Sequence, residues 1–223
     1  MLHSSLSPLM SQGAGVAAAP PTLSPRVVVM RGPAGGGKST VSALALAEVR
    51  GRGVRAVYLE QDFFRNSAAG GGKGARECAR DMLVAAARAA HAAGYSVLLE
   101  GILSKEHHAE ALEVLANELG PGALSFVYLN VSLEETKARH AGRAKASEFG
   151  AEKLEEWWSS AAPLGVAGEV LIASDSPLAA TVAAVVALLE PQHGEVAREE
   201  GAGAGQGMEG GGSHHACKRT RGE

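Results

Sequence analysis

The sequence predicts an α/β domain built on a single doubly wound parallel sheet of five strands. Three observations favour this fold class: short apolar runs recur along the chain, stretches with helical spacing separate them, and glycine or proline marks several of the junctions. A short continuous apolar run is typical of a strand that is buried on both faces. Strands separated by helices run parallel, because the chain must cross back over the sheet between them.

Five segments carry the strand pattern. The first of them, Val27-Val28-Val29-Met30, is apolar throughout, and the third, Ser96-Val97-Leu98-Leu99-Glu100, ends in an acid. The predicted strands cover residues 27–30, 54–60, 96–100, 124–131 and 169–173.

Helical signals fill the segments between these strands. Val41, Leu44, Ala45 and Val49 recur at helical spacing after the first strand, and an Ala-rich helix is predicted over residues 75–93. Ser104 is placed to cap a helix that runs to residue 119. The spacing of Ser132-Leu133-Glu134-Glu135 is that of a capping box, and a last helix is predicted over residues 177–190.

Two changes in composition bound the predicted domain, residues 26–190. Residues 1–25 are rich in Ser, Ala and Pro, and residues 191–223 are polar and rich in glycine. Such segments bury too little apolar surface to offset their chain entropy, so both are predicted to be disordered tails.

Composition also restricts the class of partner and the compartment. A net charge of -3 gives no basic bias, so nucleic acid is not expected as an obligate partner. No apolar run reaches the length of a membrane span, and the two cysteines follow no metal-binding spacing. We expect a reduced, cytoplasmic protein that does not bind membranes, with organelle targeting by the first 25 residues as the alternative. The oligomeric state stays open.

A glycine-rich segment between the first strand and the first helix predicts phosphate binding. Glycines let successive N–H groups point at one anion, and the helix that follows adds its positive end. Lys38 would supply a charge to the β- and γ-phosphates of a nucleotide, and the Ser39 hydroxyl would ligate Mg²⁺. The segment reads Gly32-Pro33-Ala34-Gly35-Gly36-Gly37-Lys38-Ser39-Thr40.

Acidic residues follow two of the predicted strands. Asp62 lies just past the second strand, where ligands of open α/β sheets bind, and would accept the proton of an acceptor hydroxyl. Arg65 would hold an anionic or polar group of that acceptor, while the alternative is a capping Asp with a surface Arg. Glu100 ends the third strand and would bind either Mg²⁺ or the acceptor, because burying an unpaired carboxylate without a role is costly.

A basic cluster in residues 137–145 is the candidate lid. Arg139 and Arg143 are four residues apart and share a helical face if the helix continues. Such a pair would close over the phosphates and neutralise developing charge. The alternative is a solvated basic face, and His140 and the pair His107-His108 are expected on surfaces.

The chain length narrows the class of nucleotide-binding protein. A core of about 165 residues suits one compact domain, whereas an oligomeric ATPase with a separate lid domain would need more chain. The Asn-Lys-x-Asp pattern that reads guanine is absent from the sequence. A small kinase fits, because it needs only a phosphate cradle, an acceptor site, a proton acceptor and cations.

Taken together, these segments resemble small P-loop kinases of the zeta-toxin and uridine-kinase-like group over most of residues 26–190. The resemblance is carried by the phosphate loop and by Gln61-Asp62-Phe63-Phe64-Arg65, Leu98-Leu99-Glu100-Gly101-Ile102-Leu103, Glu134-Glu135-Thr136-Lys137-Ala138-Arg139-His140, Glu148-Phe149-Gly150 and Trp157-Trp158. It implies a strand order 2-3-1-4-5, ATP with Mg²⁺, a base at Asp62 and a lid arginine at Arg139 or Arg143. The sequence departs from the group after Arg65, in the loop of residues 70–74.

The leading hypothesis is therefore an ATP-dependent phosphotransferase that acts on a hydroxyl of a small molecule, such as a nucleoside, a sugar nucleotide or a similar alcohol. Two alternatives stay open. One is a regulatory protein that binds the nucleotide and has no acceptor, and the other is a toxin-type kinase of UDP-sugars.

Overall fold

Strands and helices alternate through residues 23–72, 74–142, 150–159 and 161–193, which are the residues that the computed structural model describes. In chain order the strands are β1 (Leu23–Ser24), β2 (Val27–Arg31), β3 (Ala56–Glu60), β4 (Ser96–Glu100), β5 (Leu124–Asn130), β6 (Val170–Ala173) and β7 (Gln192–His193). The helices are α1 (Lys38–Gly51), α2 (Ala75–Ala92), α3 (Lys105–Leu119), α4 (Leu133–Ala141), α5 (Ala151–Ser159) and α6 (Leu178–Leu189).

Five of these strands form a parallel sheet in the order β3-β4-β2-β5-β6. The predicted fold class is confirmed, and the order is the one implied by the family resemblance. The register places Met30 of β2 beside Glu100 of β4, and Glu60 of β3 on the other side of Glu100. The carboxyl ends of these three strands therefore meet at one edge of the sheet.

A second, antiparallel pair of strands lies outside the predicted domain. Leu23 pairs with His193, and Ser24 pairs with Gln192. Both strands belong to segments that the sequence pattern assigned to the tails, because two polar-flanked residues give no strand signal. The rest of the predicted tails, residues 1–22 and 194–223, lies outside the described residues.

Helices cover both faces of the sheet. Val28 and Met30 of β2 pack in one apolar layer with α1 and α6, whereas Val27 and Val29 pack in the other layer with α2 and α3. All four side chains are completely buried. Successive residues of a strand point to opposite faces, so the continuous apolar run of β2 serves both layers.

The buried face of α1 differs from the predicted one. Val41, Ala45 and Val49 are buried, but Leu44 is 45% exposed and Leu46 is buried. Leu46 belongs to the apolar layer that includes α6. The second helix of the layer, and not the sheet alone, therefore decides which side of α1 is covered.

Two helix starts carry the predicted serines. Ser132 accepts the backbone N–H of Glu135 on its side-chain oxygen at 3.2 Å, so the predicted cap of α4 forms. The side chain of Ser104 makes no such bond, and α3 instead begins with the Ser104 carbonyl accepting the N–H of His107 and of His108. None of the described helices has the length and apolar character needed to cross a membrane.

The sequence analysis predicted no helical turn in the connection between β3 and α2. Phe63–Ala68 form a π-helical turn that begins directly after Asp62. Phe64 packs against the apolar layer of α2 and α3. The ring of Phe63 contacts the ring of Phe64 edge to face, and Phe63 is 55% exposed. This turn forms one wall of the cleft described below.

Candidate active site

The phosphate loop fills the space between the end of β2 and the start of α1. Gly32, Gly35 and Gly37 have φ values of 147°, 79° and 102°, which side chains rarely adopt. A Cβ at Gly32 would lie 2.9 Å from the carbonyl oxygen of Leu129. The glycines are thus required both by the backbone conformation and by the close approach of β5.

Lys38 lies at the first position of α1 and folds back over this loop. Its side chain is nearly buried, and Nζ donates to the carbonyl oxygens of Gly32 at 3.1 Å and Pro33 at 3.0 Å. No side chain caps the start of α1. The first amides of the helix are therefore not taken by a cap, and together with Lys38 they suit a polyphosphate.

A cavity beside the loop brings together Lys38, Ser39, Asp62, Arg65 and Glu100 of the predicted site. It has a volume of about 430 Å³ and lies against the ends of β3 and β4. Its lining residues are Ala34, Gly35, Lys38, Ser39, Glu60, Asp62, Arg65, Asn66, Glu100, Gly101, Ile102, His140 and Trp157. We call it the acceptor cleft, after the role proposed for it below.

Glu100 lies at the base of the acceptor cleft and is 4% exposed. It accepts a hydrogen bond from Ser39 Oγ at 3.4 Å on one carboxylate oxygen and from the hydroxyl of Tyr58 on the other. Burial, together with the neighbouring carboxylate, raises the pKa of Tyr58, so this hydroxyl stays a donor. The Ser39 hydroxyl and the Glu100 carboxylate are oxygen ligands of the kind that Mg²⁺ prefers.

Asp62 and Arg65 also line the acceptor cleft. Asp62 is exposed, and its side chain makes no capping bond to the π-helical turn that it precedes. Arg65 is half-buried, and its Nε is a buried donor without a hydrogen-bond partner. A buried donor of this kind costs free energy unless a ligand satisfies it.

Arg139 is not brought into the acceptor cleft. It pairs with Glu135 at 2.7 Å and donates to the carbonyl oxygens of Gly36 at 3.0 Å and Ser174 at 2.9 Å. These contacts place it on the other side of the phosphate loop, whereas Arg143 lies outside the described residues. Arg139 therefore fastens α4 to the loop and to the turn after β6.

The second cavity opens on that side of the loop. It has a volume of about 330 Å³, and it is lined by Gly36, Gly37, Thr40, Val41, Leu129, Val131, Arg139, Ile172, Ala173, Ser174, Ser176, Leu178 and Thr181. We call it the nucleoside pocket, after the role proposed for it below. The phosphate loop separates it from the acceptor cleft, so the two cavities reach the same loop from two sides.

A family model described as an AAA domain, AAA_33, matches residues 27–164, which is more than half of the chain. The chain belongs to this family. The match runs from the first residue of β2 through the phosphate loop and past α5 to residue 164. A search of curated proteins gave no significant match.

Solved structures with similar folds include several small kinases. The APS kinase CysC of Mycobacterium tuberculosis, in complex with AMPPNP and APS, is 19% identical with a TM-score of 0.59, covering 75% of this chain and 99% of that chain. A sugar kinase from Janibacter sp. HTCC2649 is 20% identical with a TM-score of 0.58, at 74% and 94% coverage. A gluconokinase from Sinorhizobium meliloti 1021 is 22% identical with a TM-score of 0.53, at 75% and 93% coverage. At these identities the likeness establishes the fold, which is that of P-loop kinases.

Two histidines of this AAA domain were wrongly expected on the surface. His140 is 6% exposed and lines the acceptor cleft, and His108 is 4% exposed inside α3. His107 is half-buried, with its ring 2.7 Å from Arg76 Nη1. The signal for His140 was its spacing: Thr136 and His140 are four apart on α4, and both are buried.

The tryptophan pair divides its roles. The indole N–H of Trp158 donates to the carbonyl oxygen of Val131 at 3.1 Å, whereas Trp157 lines the acceptor cleft. The sequence did not indicate which of the two tryptophans would line the cleft. It missed Tyr58 and Asn66 altogether, because their places depend on how β3 and the π-helical turn pack.

Proposed function

We propose that this chain is an ATP-dependent phosphotransferase that moves the γ-phosphoryl group to a hydroxyl of a small molecule. The observation that carries the proposal is the acceptor cleft, in which Lys38 and Ser39 of the phosphate loop face the same space as Asp62 and Glu100. A kinase needs a phosphate cradle next to a site for a second substrate and its proton acceptor. In this chain the residues that we propose for both line one cleft.

On the nucleotide side, the loop amides and Lys38 would hold the β- and γ-phosphates of ATP. The residues involved are Gly32, Pro33, Ala34, Gly35, Gly36, Gly37, Lys38, Ser39 and Thr40. The nucleoside pocket, beyond the loop, offers Leu129, Val131 and Ile172 as apolar lining for the rest of the nucleotide. Arg139 lies against Gly36, where a cation would offset charge on the phosphates.

In the acceptor cleft, Asp62 would take the proton from the acceptor hydroxyl. The oxygen of that hydroxyl forms the new bond to the γ-phosphorus, and the bond between the γ-phosphorus and the β–γ bridging oxygen breaks to leave ADP. Ser39 and Glu100 would hold Mg²⁺, which supplies positive charge to the transferring group when bound. Tyr58 fixes the orientation of the Glu100 carboxylate.

The acceptor is proposed to carry a polar or anionic group beside its hydroxyl. Arg65 supports this, because its Nε is buried in the cleft wall without a partner and a guanidinium binds carboxylate or phosphate in two-point fashion. Nucleosides, sugar nucleotides and sugar acids satisfy the description. A place in the zeta-toxin and uridine-kinase-like group is part of this proposal.

A regulatory protein that only binds a nucleotide is supported less well. That reading would leave Asp62 as a structural cap, yet its side chain makes no capping bond. It would also leave the buried Nε of Arg65 without a ligand.

The proposal is tested by measuring the release of ADP from ATP in the presence of Mg²⁺ and a panel of alcohols. The panel contains uridine, a UDP-sugar, an aminoglycoside, D-glucose and D-gluconate, and Lys38→Ala is the matched variant. We expect at least one alcohol to raise ADP release by about tenfold over the turnover with water, and mass spectrometry to find that alcohol phosphorylated. Nucleotide binding without stimulation by any of them would favour the regulatory protein.

A further inference from the structure

The loop between β4 and α3 forms a wall of the acceptor cleft and contains a residue in a rare conformation. Gly101 and Ile102 line the cleft, and Leu103 follows them with φ at +44°. Among the described residues, Leu103 is the one non-glycine with positive φ, and its side chain is completely buried. Such a conformation costs free energy and persists only where the surroundings hold it.

Side chains from two other elements hold Leu103 in place. Its carbonyl oxygen accepts hydrogen bonds from Nε and Nη2 of Arg31, at 3.0 and 2.8 Å. Its N–H donates to Oε1 of Gln61 at 3.1 Å. Gln61 directly precedes Asp62, so this bond connects the segment that contains Asp62 to the loop that contains Ile102, and both residues line the acceptor cleft.

Gln61 is itself oriented by a buried histidine. Its amide nitrogen lies 3.2 Å from Nε2 of His108, and Nδ1 of His108 lies 3.3 Å from the carbonyl oxygen of Ser104. A carbonyl can only accept, so Nδ1 carries the proton and Nε2 accepts from the Gln61 amide. This arrangement fixes the amide with its oxygen toward Leu103, and burial lowers the pKa of His108 to about 4, which keeps the ring neutral.

The sequence leaves room for this contact at one glycine. A Cβ at Gly101 would lie 2.6 Å from the Cβ of Gln61, closer than real side chains approach. The glycine that follows Glu100 therefore lets Gln61 pack directly on the wall loop.

We propose that Gln61 and His108 are positioning residues. They would hold the segment that contains Asp62 and the loop that contains Ile102 at a fixed separation in the acceptor cleft. Neither side chain needs to touch the reacting atoms. The role in phosphoryl transfer rests on the proposed function, whereas the role in fixing the loop does not. Small displacements of a reacting group lower rates steeply, so such a device would act on acceptor turnover.

The test is amide hydrogen exchange by NMR on the full chain, with four variants. Gln61→Met removes the bonds to Leu103 and to His108, and Gln61→Glu keeps the bond to Leu103. His108→Phe removes the orienting partner of Gln61 together with its bond to Ser104, and His107→Phe is the neighbouring control. We expect the Leu103 amide to exchange at least about tenfold faster in Gln61→Met and several-fold faster in His108→Phe, since hydrogen bonding governs protection. Gln61→Glu and His107→Phe should stay within about twofold of the original protein. The amides of Val28 and Leu98 in the central strands serve as the internal reference.

A second readout is the nitrogen chemical shifts of the His108 ring. We expect the Nδ1–H tautomer in the original protein. In Gln61→Glu a carboxylate oxygen faces Nε2 and cannot donate to it, so we expect either the Nε2–H tautomer or a ring that carries protons on both nitrogens. Unchanged Leu103 exchange in Gln61→Met, or the Nε2–H tautomer in the original protein, would overturn the proposal. If the Val28 and Leu98 amides also lose protection in Gln61→Met, that variant has unfolded. The Leu103 exchange rates of His108→Phe and Gln61→Glu then test the proposal in its place.

The functional arm uses the ADP-release panel. Any panel alcohol that stimulates the original protein should stimulate Gln61→Met at least about tenfold less than His107→Phe. Absence of stimulation in the original protein would contradict the kinase proposal, while the exchange result would still decide the present one. Equal stimulation of Gln61→Met and His107→Phe would show that the contact has no role in positioning.

Discussion

Gly32 is the glycine of the phosphate loop at which an added Cβ would lie closest to another backbone atom. Its φ of 147° is rare for other residues, and a Cβ there would be 2.9 Å from a carbonyl oxygen of β5. The same oxygen belongs to Leu129, which lines the nucleoside pocket. A substitution at Gly32 would therefore disturb the loop and the nucleoside pocket together.

We expect Gly32→Ala to weaken nucleotide binding by roughly 5- to 150-fold, because the strain and the close contact cost on the order of 1–3 kcal/mol. Titration with a fluorescent ATP analogue measures the affinity. Gly51→Ala is the matched control, since nothing lies within 4 Å of the Cβ that it would add. Equal affinities for the two variants would show that the loop tolerates a Cβ.

At the scale of single elements, α4 shows how one helix serves both cavities. Arg139 contacts the phosphate loop on the side of the nucleoside pocket, whereas the next residue, His140, lines the acceptor cleft. Neighbouring residues of a helix point about 100° apart, so the loop lies between the two side chains. Motion of α4 would therefore affect both sides of the site.

The helix α3 contributes a pH dependence through His108. Burial is the main cause that lowers its pKa, and Arg80, Arg31 and His107 act in the same direction, while the Ser104 carbonyl opposes them. The unfolded chain, with an ordinary pKa near 6.5, takes up the proton first as the pH falls. Stability from neutral His108 is thus complete above about pH 6.5 and is lost between there and about pH 4.

We expect the original protein to lose roughly 2 kcal/mol more free energy of unfolding than His108→Phe when the pH is lowered from 7 to 5. Urea unfolding at the two pH values measures the difference, and His107→Phe, at a half-buried neighbouring position, should behave like the original protein. Parallel losses in the original protein and His108→Phe would mean that His108 titrates normally.

At the scale of the whole molecule, a buried ion pair joins three segments around the site. Arg31, at the end of β2, pairs with Glu169 at 3.2 Å and donates to carbonyl oxygens of Leu103 and Ala162. Glu169 in turn accepts the N–H groups of Leu164 and Gly165. Both side chains of the pair are almost fully buried, so the central strand, the wall loop of the cleft and the segment after α5 depend on one guanidinium.

Arg31→Met should lower the free energy of unfolding by about 3–5 kcal/mol, because it leaves Glu169 buried without its partner. Arg88→Met is the comparison, since the Arg88–Glu118 pair is about half-exposed and should contribute less than about 1 kcal/mol. Urea denaturation of both variants gives the two values. Similar losses would mean that water reaches the Arg31 pair.

Much of this architecture was predictable from local patterns. The parallel sheet followed from apolar runs such as 27–30, because these runs depend on neighbours in the sequence, whereas the strand order came only from the family resemblance. The Arg31–Glu169 pair, the burial of His108 and the side on which Arg139 lies were not, since each depends on contacts between residues far apart in the chain. For the same reason, Asp62 and Glu100 could be assigned to one edge of the sheet, whereas Tyr58 could not be linked to Glu100.

The central claim is that Asp62 takes the proton of an acceptor hydroxyl during phosphoryl transfer, and one measurement tests it most directly. The rate of γ-phosphoryl transfer to the alcohol found in the panel is compared, by mass spectrometry of the product, between Asp62→Asn and Asp81→Asn, an exposed aspartate of α2. We predict that Asp62→Asn binds the fluorescent ATP analogue normally and transfers at least about 100-fold more slowly, while Asp81→Asn is unaffected. Full transfer by Asp62→Asn would contradict the claim.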